Sequence, residues 1–118
     1  MKKTNRIKDN KDFSKVIKQG HYSKSIGYRV YWLENTLGYA RIGISASTKL
    51  GNAVTRSTIR RKIRAICDSI IDYQSCSLDI VIIAKPEFID RDHNTNRSEL
   101  ENTFTKILGT QEWRKRQN

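Results

Sequence analysis

The chain is short of most of the residues that catalytic and secreted proteins rely on. It has one proline, two cysteines and two histidines, and its longest apolar run is IVIIA at 80–84. A run that short is no candidate for a membrane-spanning helix, which needs about 18 or more consecutive apolar residues. Cys67 and Cys76 are too few for a disulfide framework or a thiolate zinc site. No glycine-rich phosphate loop and no nucleophile-and-base motif occurs. The opening MKKTNRIKDN has basic residues but no apolar stretch behind them, so no export signal is expected. The reading is a cytoplasmic protein with reduced thiols and no affinity for membranes. Acidic residues are scarce as well. Against 23 Lys and Arg stand 12 Asp and Glu, a net charge of +11 over 118 residues, which points to a polyanionic partner and first of all to nucleic acid.

What is present reads as one domain over 1–118, ordered over about 6–109, with the basic end 110–118 expected to fray. Phe13, Val16 and Ile17 have helical spacing, with Asp9 or Asn10 available as cap and Gly20 as stop. Residues 28–33 and 39–45 are aromatic and β-branched, joined by ENTLG, and predict an antiparallel hairpin. In the first of them Tyr28, Val30 and Trp32 face one way, and Arg29, Tyr31 and Leu33 the other. Whether HYSK at 21–24 adds a strand stays open. A long helix opens at Gly51 and Asn52 and runs to about Ile71. LDIVIIA at 78–84 is apolar on both faces and suits a central strand, with Asp79 expected to accept from neighbouring backbone or a surface cation. EFIDRDHNTNR reads as a polar loop, after which Ser98 and Glu101 form a capping box for a last helix carrying Leu100, Phe104, Ile107 and Leu108. Strand, long helix and strand imply a parallel pair within an otherwise antiparallel sheet. The fold class is therefore α+β, a small sandwich of a central mixed sheet with flanking helices and a βαβ crossover.

The long helix has to bury Ile59, Ile63, Ile66 and Ile70, yet it carries Arg56, Arg60, Arg61, Lys62 and Arg64. At about 100° per residue, Arg56, Arg60 and Arg64 form a ridge beside the apolar stripe, and Arg61 extends it outward. Between Lys49 and Lys62 there is no acid, so pairing along the helix does not account for the arginines. Guanidinium forks match phosphate oxygens two at a time, which makes the ridge a candidate RNA or DNA contact.

The run RIGISASTKLGNAVTRSTIRRKIR, with NRIKDNKDFSKVIKQG before it and DIVIIAKP after it, resembles the protein subunit of bacterial ribonuclease P. The most specific portion is Gly51, Asn52, Ala53, Val54 and Arg56, followed by Arg60, Arg61 and Arg64. The resemblance implies a left-handed βαβ crossover and a partnership with one large catalytic RNA. That RNA, with Mg2+ held through it and not by a protein site, removes the 5′ leader of precursor tRNA. By the same resemblance, Lys49, Asn52, Arg56, Arg60, Arg61 and Arg64 would contact the RNA subunit. Phe13, Ile17, Tyr28 and Tyr31 would line a cleft for the single-stranded leader, where rings stack on bases without selecting one. For Phe13 and Tyr28, core packing is the competing reading. The chain departs from the family's usual Arg-Asn-Arg, having Arg56, Ser57 and Thr58, and has Ile17 where an aromatic is common.

Two other readings compete. A general RNA-binding module on the same architecture would share the charge and the fold but not the ordered motif. A metal nuclease built on Asp90, Asp92 and His93 would need ligands converging from rigid elements, and these sit in one loop with Arg91 among them. No protein partner is evident in the sequence.

Overall fold

The computed structural model describes residues 1–109 and 113–115. Its main elements are α1 (Asn10–Gln19), β1 (His21–Lys24), β2 (Tyr28–Glu34), β3 (Arg41–Ser45), α2 (Ala53–Ile70), β4 (Leu78–Ala84) and α3 (His93–Leu108). Both early helices start where a side-chain cap relieves an orphan N–H. Asp9 accepts from the Lys11 N–H ahead of α1, and Asn52 from the Thr55 N–H ahead of α2. Gly51, at φ 142°, supplies the left-handed turn that brings the chain from a short 3-10 turn, Thr48–Leu50, into α2.

The four strands lie in the order β1-β2-β4-β3, with β1–β2 and β2–β4 antiparallel and β3–β4 parallel. His21–Lys24, left open by the sequence, is thus an edge strand. The predicted hairpin is corrected: β2 and β3 do not pair, because β4 lies between them. A strand apolar on both faces is covered on both only in the interior of the sheet, so LDIVIIA takes that place. The 35–40 connection instead passes across the start of β4, where the Asn35 N–H donates to the Ser77 carbonyl and the Ala40 N–H to that of Tyr73. Asp79 finds its cation in Arg41, whose Nε and Nη2 donate to its carboxylate at 2.9 and 2.6 Å, and Asn35 Nδ2 donates at 2.8 Å.

The sheet separates two layers. On one face Tyr28, Val30, Ile42, Ile80 and Ile82 pack with Ile59, Ile63, Ile66 and Ile70 of α2 and with Leu100 and Phe104 of α3 in one contiguous core. On the other face lies α1, whose Phe13 ring rests so closely on Gly43 that a Cβ there would stand 2.8 Å from it. Val16 of α1 and Val81 of β4 are buried in this second layer.

The last helix begins earlier than its apolar stripe suggests. Asp92, not Ser98, is the cap, accepting from the Thr95 N–H at 2.7 Å. The first turns are held by polar contacts: Arg91 donates to Asn96 Oδ1, and Asn96 Nδ2 to the Phe88 carbonyl at 3.0 Å. Residues 93–97 are therefore helix, not loop. Of the end expected to fray, 110–112 and 116–118 lie outside the described residues, and 113–115 are held in place. Trp113 is 3% exposed, stands edge-on to Phe104, and is followed by Arg114 in a bridge to Ile71.

Candidate RNA interface

The arginine ridge on α2 is intact. Arg56, Arg60 and Arg64 are half-buried along one flank of the core stripe, and Arg61 is exposed beyond them. Lys49 is exposed in the turn before α2, while Asn52 is spent on the cap. Ion pairs among the described residues join Met1 to Asp68, Arg41 to Asp12 and Asp79, and Arg91 to Glu99, and none involves the ridge. The first acid beyond the ridge, Asp68, sits one turn after Arg64 but is engaged elsewhere. It accepts from the Met1 ammonium at 2.8 Å and from the Tyr73 hydroxyl at 2.6 Å. The Nε atoms of Arg56 and Arg64 are shielded from solvent without a hydrogen-bond partner, as their stems pack, and neither guanidinium is ion-paired among the described residues. Such a row of like charges repels itself unless an external anion bridges it. Arg6, joined by its backbone to the free side of β3 through a bridge to Ile42, has a shielded, unpartnered Nε of the same kind.

The second surface is the sheet face that α1 crosses. Phe13 and Ile17, both half-buried, line the sheet side of α1, and Tyr31 belongs to the same face through its register with Val81 and Gly43. The next row, Arg29, Ile83 and Ser45, is left partly open to solvent beside the helix. Aromatic surface next to a free cation and a shallow wall suits an unpaired nucleic-acid strand. Tyr28 does not join this group. Its side chain points through to the opposite layer, is 0% exposed, donates its hydroxyl to the Asn96 carbonyl at 2.9 Å and packs edge-on against Phe88. Burial holds the phenol protonated well above its usual range, which fits a core residue. Strand alternation is the reason: adjacent apolar rows of β2 serve different layers, and Tyr28 shares its row with Val30.

One aromatic side chain on this face was not legible in the sequence. Tyr22 on β1 is 49% exposed and stacks on Tyr31 with ring centroids 4.8 Å apart, extending the aromatic surface to the edge of the sheet. Lys24 follows it, exposed, on the same strand. The only signal available was the aromatic in HYSK, a segment too short to establish a strand by periodicity. The residues of the rival nuclease reading are not gathered: Asp92 caps α3, and among the described residues no group of three or more His, Cys, Asp or Glu is placed to share a cation.

Comparison with known proteins places the chain in one family. The family described as ribonuclease P matches residues 1–108. The chain belongs to the ribonuclease P protein family. Among curated relatives, the ribonuclease P protein component of Mesoplasma florum is 38% identical over 92% of this chain and 99% of that relative. That of Streptococcus pneumoniae strain Hungary19A-6 is 42% identical over 72% of this chain and 69% of its own length. Among solved structures, the RNase P protein of Staphylococcus aureus superposes with a TM-score of 0.76 at 36% identity, covering 89% of this chain and 95% of that one. The RNase P protein from Thermotoga maritima does so with a TM-score of 0.75 at 29% identity, covering 88% and 98%. The α+β fold with its four-stranded mixed sheet is thus the ribonuclease P protein fold, and tRNA processing is the family's field. The same family places this chain with RNA-binding proteins, in keeping with the charge. No helix among the described residues is long and apolar enough to cross a membrane.

Proposed function

We propose that the chain acts as the protein subunit of a ribonuclease P ribonucleoprotein in the cytoplasm. It binds the catalytic RNA along α2 and the 5′ leader of precursor tRNA in the α1 cleft, and so promotes endonucleolytic removal of the leader. The observation that carries this reading is the ridge of Arg56, Arg60, Arg61 and Arg64, without a carboxylate partner among the described residues, on a helix whose adjoining stripe of Ile59, Ile63, Ile66 and Ile70 is buried in the core. Lys49, exposed in the turn that leads into α2, adds to the cationic surface at the start of the helix.

The chain's own part is binding and positioning. The ridge offsets repulsion between the phosphates of the RNA subunit and those of the substrate. Phe13, Ile17, Tyr31 and Tyr22 offer the leader an apolar, aromatic wall, and Arg29 and Lys24 offer its phosphates a charge. Tyr28 supports that wall from the opposite layer and does not touch the strand. Hydrolysis of the phosphodiester, with Mg2+ as its metal, is assigned to the RNA subunit; no residue of the chain is assigned a catalytic step.

The test is the preference of the reconstituted enzyme for precursor over mature tRNA. Tyr31→Ala, which removes one member of the stacked pair, is expected to weaken precursor binding about 5-fold or more, by the roughly 1–3 kcal/mol of one base-stacking contact, and to leave mature tRNA binding unchanged. Equal losses for both ligands would refute the cleft assignment.

A further inference from the structure

On the flank of α2 away from the ridge is a cavity of about 240 Å³, enclosed by α2, the 3-10 turn Pro86–Phe88 and the first turn of α3. Its walls are mixed: Ile59 and Ile66 of α2 and Phe88 and Ile89 supply apolar surface, while Thr55, Arg91 and Asn96 complete the lining, Arg91 being held by Asn96 and Glu99. Its mouth carries two exposed cationic or ionisable side chains, Lys62 and His93, neither of which is hydrogen-bonded or ion-paired among the described residues. Two apolar side chains at its lip also stand in water: Val54 is 76% exposed and Ile89 45%. The hydroxyl of Thr58 donates back to the Val54 carbonyl at 3.0 Å, which keeps this short side chain along the helix and the mouth open.

The chemistry of this cavity narrows its occupant. Inorganic phosphate would gain from Lys62 and His93 but would leave the apolar surface uncovered. An apolar peptide side chain would fill the walls and gain nothing from the cations. A nucleotide uses both, with a flat, weakly polar base within and phosphate at the mouth, and imidazole is itself a stacking surface for bases. The volume lies just under the roughly 300 Å³ at which pockets for drug-sized ligands begin, so it accommodates one base and part of its sugar. No ridge arginine lines the cavity, but helix surface without acids leads from one to the other. At about 100° per residue, Arg64, Arg61, Thr58 and Lys62 succeed one another around the solvent side of α2 with no acid among them. We propose that this cavity receives one unpaired base of the RNA held on the arginine ridge, with Lys62 and His93 on the phosphates beside it. The inference rests on the reading of α2 as an RNA-binding helix and adds a base-accepting site to it.

Methyl and arginine Nε–H NMR spectra of the full chain, titrated with octa-adenylate and separately with an inorganic polyphosphate of similar charge, test it. Octa-adenylate is expected to move the methyl signals of Val54, Ile59 and Ile89 upfield through ring currents, whereas polyphosphate should leave them in place and shift only the arginine signals of the ridge. Thr58→Phe, a neutral plug at the mouth, is expected to abolish the methyl response and to weaken octa-adenylate binding about 5-fold or more, while polyphosphate binding is unchanged. Ridge signals that respond to octa-adenylate while the methyls stay still would overturn the base site and leave the RNA-binding helix standing. If neither set responds, both fail. Equal methyl shifts with polyphosphate would make the cavity an anion site, and shifts with an amphipathic peptide alone would assign it to a protein; either overturns the proposal.

Discussion

Replacing Arg60 and Arg64 together by alanine separates the two duties of α2, because neither guanidinium has a partner among the described residues to lose. The fold should barely notice. Arg60 and Arg64 are only half-buried, alanine is the better helix former, and the loss of stem packing at Arg64 keeps the expected change in stability under about 1 kcal/mol. RNA affinity should respond strongly and in a particular way. Each cation on a phosphate contributes about one unit to the slope of log affinity against log salt, so removing two lowers the slope by about 2. Over a rise from about 50 to 200 mM salt, that difference shrinks the affinity gap between the native chain and the variant about 16-fold. Filter binding to a bacterial ribonuclease P RNA across this range reads the slope, and circular dichroism with thermal melting reads the fold. A paired Lys85→Ala and Lys106→Ala variant, distant from α2 in the chain, should keep the native slope. An unchanged slope in the ridge variant would refute the phosphate assignment, and a collapsed melting transition would show that the arginines hold the fold.

Gly43→Ala would press a Cβ against the Phe13 ring, displacing α1 from the sheet; precursor tRNA binding should fall while the ridge-dependent salt slope stays as it is, which paired binding assays would show. Alkali should destabilise the chain. Burial, aided by Asp72, pushes the Cys76 thiol up to about 11, and Cys67, Tyr28 and Tyr73 are raised as well, each chiefly by burial. For Cys76 that stabilisation is complete below the ordinary thiol value near 9 and is lost as pH climbs through about 11, so melting temperature should decline across this window and decline less in Cys76→Ala. At the acid end, burial would raise the Glu99 carboxyl, but the Arg91 guanidinium and the Gly27 N–H more than offset it and hold it below its usual value. Its contribution is present above about pH 4.3 and lost as pH falls through the lower folded value. Glu99→Gln should cost about 1–3 kcal/mol at neutral pH and flatten the acid side of the stability profile.

The parts legible in the sequence were those that local chemistry decides. Asp9 and Gly20 bound α1, Asn52 caps α2, and a helix with Ile59, Ile63, Ile66 and Ile70 on one side and unpaired arginines on the next could be read directly from its spacing. What the sequence concealed depends on which element lies beside which. Alternation told that Tyr28 and Tyr31 face opposite ways, but not that α3 covers the first and leaves the second to the cleft. The runs that form β2 and β3 looked like a hairpin because nothing local shows that β4, from much later in the chain, separates them. The cap of α3 was placed at Ser98, whereas Asp92 caps it, in a first turn held by contacts of Arg91 and Asn96 that no periodicity reports. Trp113 sat in a charged end that looked fit only to fray, yet a single large ring found the space beside Phe104.

The most direct test of the central claim is cleavage of a 5′-labelled precursor tRNA at low Mg2+ by the protein alone, by a bacterial ribonuclease P RNA alone, and by the two together. The account predicts release of the leader only, or chiefly, in the mixture. Cleavage by the protein alone, or no enhancement of several such RNAs by the protein, would contradict it.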